Sequence, residues 1–212
     1  EQQQERTKAK AEVFTPSWIC NKMNNHCDEE WFGRTGIFNI ELENGWKVTN
    51  SPVPFEREGD WMKYIDSKRL EITCGEAPYI VSRYDAATGE LIEIGKRIGI
   101  LDRKLRVVNE NTDNEADWFK WVLRAYQSVY GYEFQGDNLL IARINLLVTF
   151  VDYMQDRWDR VPTDTELRKI ANDIVWNLWQ MDGMTGTVPF GKPEDQYHQY
   201  SLFDFVVVDK AN

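Results

Sequence analysis

Val129-Tyr130-Gly131-Tyr132-Glu133-Phe134-Gln135-Gly136, running into Asp137-Asn138-Leu139-Leu140-Ile141-Ala142-Arg143-Ile144, decides the fold class. Aromatic and β-branched residues over 129–134 predict a short strand, and Gln135-Gly136 predicts a turn. From Asp137 to Arg157 the apolar positions Leu140, Ile144, Leu147, Val151 and Met154 recur at helical spacing, which predicts an amphipathic helix. Strand, glycine turn and helix in that order form one α/β unit.

Working outward, the same alternation repeats. Upstream, Arg69-Leu70-Glu71-Ile72-Thr73-Cys74-Gly75-Glu76-Ala77-Pro78 reads as a strand entering a glycine turn. Residues 90–108 predict a hairpin through Leu91, Ile92 and Ile94, then Ile98 to Leu101. A helix follows over Asp113 to Ser128, with Asp113 as N-cap and Trp118, Trp121, Val122 and Ala125 on one face. Downstream, Thr163 and Glu166 match a capping box for a helix carrying Leu167, Ile170, Ile174 and Leu178, which Met181-Asp182-Gly183 stops. Leu202 to Val208 reads as a buried strand. Helices alternating with short strands favour a layered α/β fold over an all-α one. Nearer the start, Ser17 to Met23 predicts a short helix. Residues 28–68, dense in Gly, Pro and aromatics, predict an insertion with strands at Phe38 to Leu42 and Trp46 to Thr49. The division expected is therefore 1–27 as an arm and capping helix, 28–68 as an inserted segment and 69–212 as a partial α/β core.

The chain has 212 residues and a formal net charge of −10. That balance disfavours a free-standing nucleic-acid binder, which carries a basic face. If the chain serves DNA, other regions or a partner supply the phosphate contacts. The apolar run Leu139 to Val151 is broken by Arg143 and Asn145 and is too short for a bilayer span. The polar opening has no apolar signal region, so a cytoplasmic protein with reduced thiols is expected. Cys20, Cys27 and Cys74 with His26 and His198 lack the spacing of a zinc site. Cys74 is expected to be a small buried residue, and the pairs Trp118/Trp121 and Trp176/Trp179 are expected to pack the core.

A glycine turn allows close approach of backbone to ligand, and an acidic residue ending the next strand can accept hydrogen bonds from a ribose diol. Gly75 and Glu133 stand in those positions. Neither GxGxxG nor GxxxxGK[ST] occurs, and the two residues are too far apart for a compact dinucleotide fingerprint. From the residues alone, a purely structural Gly75 with a solvated Glu133 is an equal alternative.

Five segments, in order, resemble the N6-adenine (amino-type) DNA methyltransferases of restriction–modification systems. Ala11-Glu12-Val13-Phe14-Thr15-Pro16 resembles their E-V-F-T-P opening, and Leu70 to Tyr79 is similar to their (D/E)-P-A-C-G-x-G motif. Tyr130 to Leu146 resembles the G-x-E segment ending in N-L. Trp179 to Gly183 resembles a G-D step, and Phe203-Asp204-Phe205-Val206-Val207 resembles the strand before the catalytic (N/D)-P-P-(Y/F). The resemblance implies a Rossmann-like S-adenosylmethionine-dependent methyltransferase fold, partial, limited to its N-terminal half and carrying insertions. It implies S-adenosyl-L-methionine as cofactor. Phe14 and Thr15 would close over the methionine end, Glu71 and Gly75 would line the methionine and ribose side, Glu133 would hold the ribose hydroxyls, Phe134 would flank the adenine, and Asp182 would accept from its amino group. Glu76 and Ala77 depart from the family's small residue and glycine. The strand to Val208 continues as Asp209-Lys210-Ala211-Asn212, so only Asp209 stands at a catalytic-motif position and both prolines and the aromatic are lacking.

Three readings follow from these residues. The first is the cofactor-binding portion of an adenine-N6 methyltransferase that is inactive alone and serves as a restriction–modification subunit. The second is a degenerate methyltransferase-like protein that binds or regulates through a protein partner. The third is an α/β domain without a ligand. Self-association through the edge of the terminal strand is expected in addition.

Overall fold

The computed structural model describes residues 14–189 and Gly191. Ala11 to Val13 of the opening motif, His198, the strand expected over Leu202 to Val208, and Asp209 lie outside the described residues. Helix α1 (Ser17–Phe32) comes first, then a hairpin of β1 (Asn39–Leu42) and β2 (Gly45–Val48), then α2 (Asp60–Asp66) and β3 (Arg69–Ile72). A single 3-10 turn (Ile94–Lys96) precedes α3 (Ile100–Asn111) and α4 (Glu115–Gln127). The chain continues through β4 (Val129–Glu133), α5 (Gly136–Trp158), α6 (Asp164–Asn177) and β5 (Leu178–Gln180). No helix among the described residues is long and apolar enough to cross a membrane.

Strands β3, β4 and β5 form a parallel three-stranded sheet in that order. Ile72 pairs with Tyr132, and Tyr132 with Trp179. Parallel strands need crossover connections, here α3 with α4 and then α5 with α6. All three strands therefore end on the same side, and the loops that follow them share that side. One face of the sheet presents Val129, Gly131, Glu133 and Leu178, all buried among the helices. The other presents Leu70, Ile72, Tyr130, Tyr132 and Trp179, none of them buried.

Local chemistry accounts for most elements. The Thr163/Glu166 capping box forms as expected. Asn114, rather than Asp113, caps α4, accepting from the Asp117 N–H. The hairpin at 39–48 forms where its strands were expected.

Several expectations are corrected. The short helix at 17–23 runs on to Phe32 and ends at Gly33, whose φ of +68° suits a left-handed cap. The boundary drawn at 27 therefore falls within α1. The hairpin expected over 90–108 is a 3-10 turn followed by α3, in which Leu101, Leu105 and Val108 lie at helical spacing and are fully buried. On α5 the buried stripe is Leu139, Ala142, Leu146, Phe150, Tyr153 and, as expected, Met154, while Leu140 and Ile144 are about half exposed. That helix is apolar around most of its girth, so periodicity alone does not phase it. The last helix stops at Asn177, and β5 takes Leu178 to Gln180. Trp118 is fully buried and stacks on Phe150 at 6.3 Å, whereas Trp176 and Trp179 lie outside the core.

Two buried basic side chains on α3 join the layers. Arg103 donates to Asp28 at 2.5 Å and to the side-chain oxygens of Asn21 and Asn25 at 2.8 Å, tying α1 to α3. Lys104 donates to the carbonyls of Ile65 and Ser67 and to Ser128 Oγ, tying the ends of α2 and α4 to the start of β3. Burial, with Arg69 nearby, pushes the Lys104 ammonium down to about 7. In the unfolded chain it returns to about 10.4, so between those values the folded protein binds fewer protons than the unfolded one. The Lys104 contribution to stability is therefore largest above pH ~10 and is lost as pH falls through about 7. Lys104→Met should destabilise the fold by ~1–3 kcal/mol through orphaned acceptors. The stability gap between the wild type and this variant should widen from pH 7 to pH 9, by up to ~1.4 kcal/mol per pH unit. Urea denaturation at several pH values measures both, and a gap independent of pH would refute the assignment.

Candidate functional site

The site begins where β3 stops. The Cys74 N–H donates to the Tyr132 carbonyl at 2.7 Å and extends the ladder by one rung. The chain then reverses, with the Ala77 N–H donating to the Cys74 carbonyl at 2.7 Å. Thr73, Gly75 and Ala77 have φ of 59°, 55° and 65°. Glycine adopts that conformation freely, whereas a residue with a Cβ sits there at a cost of ~1–2 kcal/mol. Thr73 and Ala77 bear that strain in the turn that borders the cavity. Beneath it lies Gly131, where a Cβ would stand 3.0 Å from Cys74 Sγ. A bare backbone on β4 thus leaves the space that Cys74 fills.

The carboxylate of Glu133 closes the turn from the neighbouring strand. Oε2 accepts from the Gly75 N–H at 2.8 Å, and Oε1 accepts from the Gln135 N–H at 2.9 Å. Glu133 is 6% exposed, so the reading with a solvated carboxylate is corrected: it is buried and bonded to backbone at the ends of two loops. Cys74 is buried as expected, and burial raises its thiol pKa far above the usual value.

Glu71 points from β3 into the same region. Its Oε2 has no hydrogen-bond partner and no exposed surface. Burial holds its carboxyl well above the usual carboxylate range, the Tyr79 and Ile80 N–H groups oppose this, and the nearby Glu133 carboxylate adds to it. Glu76 is fixed through Tyr84, whose hydroxyl donates to Oε2 at 2.7 Å. Asn145 donates to that hydroxyl and to the Glu76 carbonyl, linking α5 to the turn.

Helix α1 brings up the remaining wall. Its first N–H, of Ser17, donates to Asp85 at 2.7 Å, and Asn24 donates to the carbonyls of Tyr79 and Ile98. Phe14 and Thr15, just before that helix, are thereby held over the turn.

Phe14, Thr15, Glu71, Gly75 and Glu133 line one cavity of about 590 Å³. Glu76, Tyr79 and Asn138 also line it, and sequence reading gave Tyr79 and Asn138 no role. The signal for Asn138 was available, because it lies in the first turn of the helix that follows Gly136. Phe134 and Asp182 do not line the cavity. The Phe134 carbonyl accepts from Gln180 Nε2 at 3.1 Å. Asp182 is engaged in its own loop, where the Met184 and Thr185 N–H groups donate to Oδ1 and hold the carboxyl below its usual range. That loop nevertheless reaches β3, since Gly183 packs directly on Ile72 and Thr73. None of the side chains lining the cavity, among the described residues, is Lys, Arg or His. No cluster of three or more His, Cys, Asp or Glu among the described residues could hold a metal ion.

Comparison with family models, curated proteins and solved structures finds no match for the chain.

Replacing Glu133 by Ala leaves the Gly75 and Gln135 N–H groups without acceptors and should lower stability by ~2–4 kcal/mol. Glu133→Gln, which keeps one acceptor oxygen, should cost about half as much. Chemical denaturation of both variants tests this, and equal stability of all three proteins would show that the turn is not held from β4.

Proposed function

We propose that this chain is the cofactor-binding portion of an S-adenosylmethionine-dependent adenine-N6 DNA methyltransferase of a restriction–modification system, built as half of a Rossmann-like methyltransferase fold. The observation that carries the proposal is the single cavity shared by Phe14, Thr15, Glu71, Gly75 and Glu133 beyond the ends of parallel strands. Ligands of open α/β sheets bind in that position, outside the carboxyl ends of the strands.

The residues present fit the cofactor. A volume of about 590 Å³ lies within the range of small-molecule sites. Carboxylates suit ribose hydroxyls and a cationic methionine end, and the absence of basic side chains among the described lining residues disfavours phosphate-bearing nucleotides. The unpartnered Oε2 of Glu71 lacks the partner that a bound ammonium group would supply. In this reading Glu133 accepts from the ribose hydroxyls while keeping its backbone bonds, Gly75 permits close approach, and Phe14 with Thr15 excludes water. The bound cofactor supplies an electrophilic methyl group.

The face of the sheet that no described element covers supports the idea of a half fold. Parallel sheets are ordinarily covered on both faces, and here Leu70, Ile72 and Trp179 are each more than 40% exposed. Further α/β layers or a partner subunit would cover them. The net charge of −10 agrees with DNA contacts being made elsewhere. We place the complex in the cytoplasm, where restriction–modification acts on the cell's DNA.

Isothermal titration with S-adenosylmethionine tests the reading. Saturable binding is expected, weakened about tenfold by Glu133→Gln and by ~100-fold or more by Glu133→Ala, since each charge-assisted bond contributes ~1.5–3 kcal/mol. Absence of binding to a wild-type protein shown to be folded would overturn it.

A further inference from the structure

A second cavity, of about 360 Å³, lies between α3, the hairpin and the last turns of α5. Among the described residues it shares no lining side chain with the cavity beyond β3. Two side chains of opposite charge line it, Arg97 from the segment leading into α3 and Asp102 from the first turn of that helix. The Arg97 side chain is 7% exposed and Asp102 is 1% exposed. Most of their polar atoms are engaged. Arg97 Nη2 pairs with Asp152 at 2.7 Å, and Nε donates to the Ile92 carbonyl at 3.3 Å. Asp102 Oδ2 accepts from the Ser82 N–H at 2.8 Å and from the Ser82 hydroxyl at 3.2 Å. Arg97 Nη1 and Asp102 Oδ1 are the exceptions: both are buried and neither has a hydrogen-bond partner. A buried guanidinium donor and a buried carboxylate acceptor left unpaired are each costly, and one cavity wall holds both.

We infer that this cavity binds a free aliphatic α-amino acid, whose carboxylate accepts from Arg97 Nη1 and whose ammonium group donates to Asp102 Oδ1. The inference is independent of the cofactor reading above.

The character of the wall selects that class. The two orphaned groups call for one acceptor and one donor, and charged counterparts make the stronger bonds to charged groups. A zwitterion supplies both on adjacent atoms. Formal charges on the wall cancel, with Arg97, Arg103 and Arg106 against Asp102, Glu110 and Asp156, which suits a ligand that is neutral overall. Phe38, Val48, Ile94 and Ile98 supply an apolar portion for the side chain. The volume lies within the range of small-molecule sites. Burial raises the Asp102 carboxyl above its usual range against the attraction of Arg97, and an ammonium group at Oδ1 adds to that attraction. Neither orphaned atom has surface open to solvent, so the ligand head reaches them by displacing the side chains that cover them, as rotamer changes at binding sites commonly allow.

The test is calorimetry on the full chain with L-leucine, L-isoleucine, L-valine and L-methionine, each beside its decarboxylated amine and its deaminated acid. Saturable binding of at least one amino acid is expected, with its amine and its acid each about tenfold weaker or more, since each lacks one charge-assisted bond. Arg97→Lys and Asp102→Asn should each weaken binding about tenfold or more. Arg83→Lys should leave it unchanged, because Arg83 shares Asp152 with Arg97 but does not line the cavity. Failure of all four amino acids to bind the folded wild type would overturn the inference. An amine or acid that binds as tightly as its parent would overturn the paired recognition, and this comparison needs no variant to fold. Affinity undiminished in both Arg97→Lys and Asp102→Asn would place the binding elsewhere and overturn the site.

Discussion

Arg103 is the constraint on which the arrangement of layers depends. Its guanidinium is buried and cannot shed its proton, so its donors must find acceptors inside the protein. Asp28, Asn21 and Asn25 on α1 and the carbonyl of Ile98 provide them. Asp28 in turn accepts from Tyr64 on α2, and Asn21 exchanges hydrogen bonds with Asn39 at the start of the hairpin. One buried charge therefore gathers α1, α2 and the hairpin onto α3. Because Phe14 and Thr15 lead directly into α1, the lid of the cavity is placed by an ion pair at the opposite end of that helix. Removing one partner of such a pair is far costlier than the net contribution of the pair itself, since the remaining charge stays buried.

The site shows the same economy of means on a smaller scale. Glu133 belongs to β4, but its two bonds govern loops after β3 and after β4. A single carboxylate thus registers the glycine turn against the start of α5. The left-handed residues of that turn, Thr73 and Ala77 included, are affordable only because the ladder bond at Cys74 and the Glu133 bond fix the turn from both ends. The departures from a glycine-rich motif noted at Glu76 and Ala77 are accommodated by this bracing: Glu76 turns toward Tyr84, and Ala77 is buried in the core.

What sequence reading captured and what it lost have definite causes. Strands β3 and β4, the hairpin, the capped helix from Thr163 and the meeting of Gly75 with Glu133 were legible, because turns, caps and alternation are local signals. Helix α3 was not, because Asp102, Arg103 and Lys104 occupy its buried side and are at most 2% exposed, which hides the stripe of Leu101, Leu105 and Val108. The phase of α5 was lost for the opposite reason, an excess of apolar residues on every side. Strand β5 was missed because it has only three residues and continues directly from a helix. In the site, Tyr79 and Asn138 escaped notice because their place on the wall depends on how separate loops converge. Glu71 was singled out only through resemblance; the lack of a partner for its Oε2 is a property of tertiary packing.

The pairing of β3 with β4 has a consequence for how the chain is assembled. Arg69 finds its partner at Val129, and everything between them must be made before the first rung of the sheet can close. During vectorial synthesis the segment Leu70 to Ile72 leaves the ribosome well ahead of the strand it needs, while α3 and α4 can already form from local contacts. Non-local parallel pairing is slow and leaves strand edges open to intermolecular capture. The order of events should therefore be helices first, with the cavity, which exists only once β3 and β4 lie side by side, among the last features to appear.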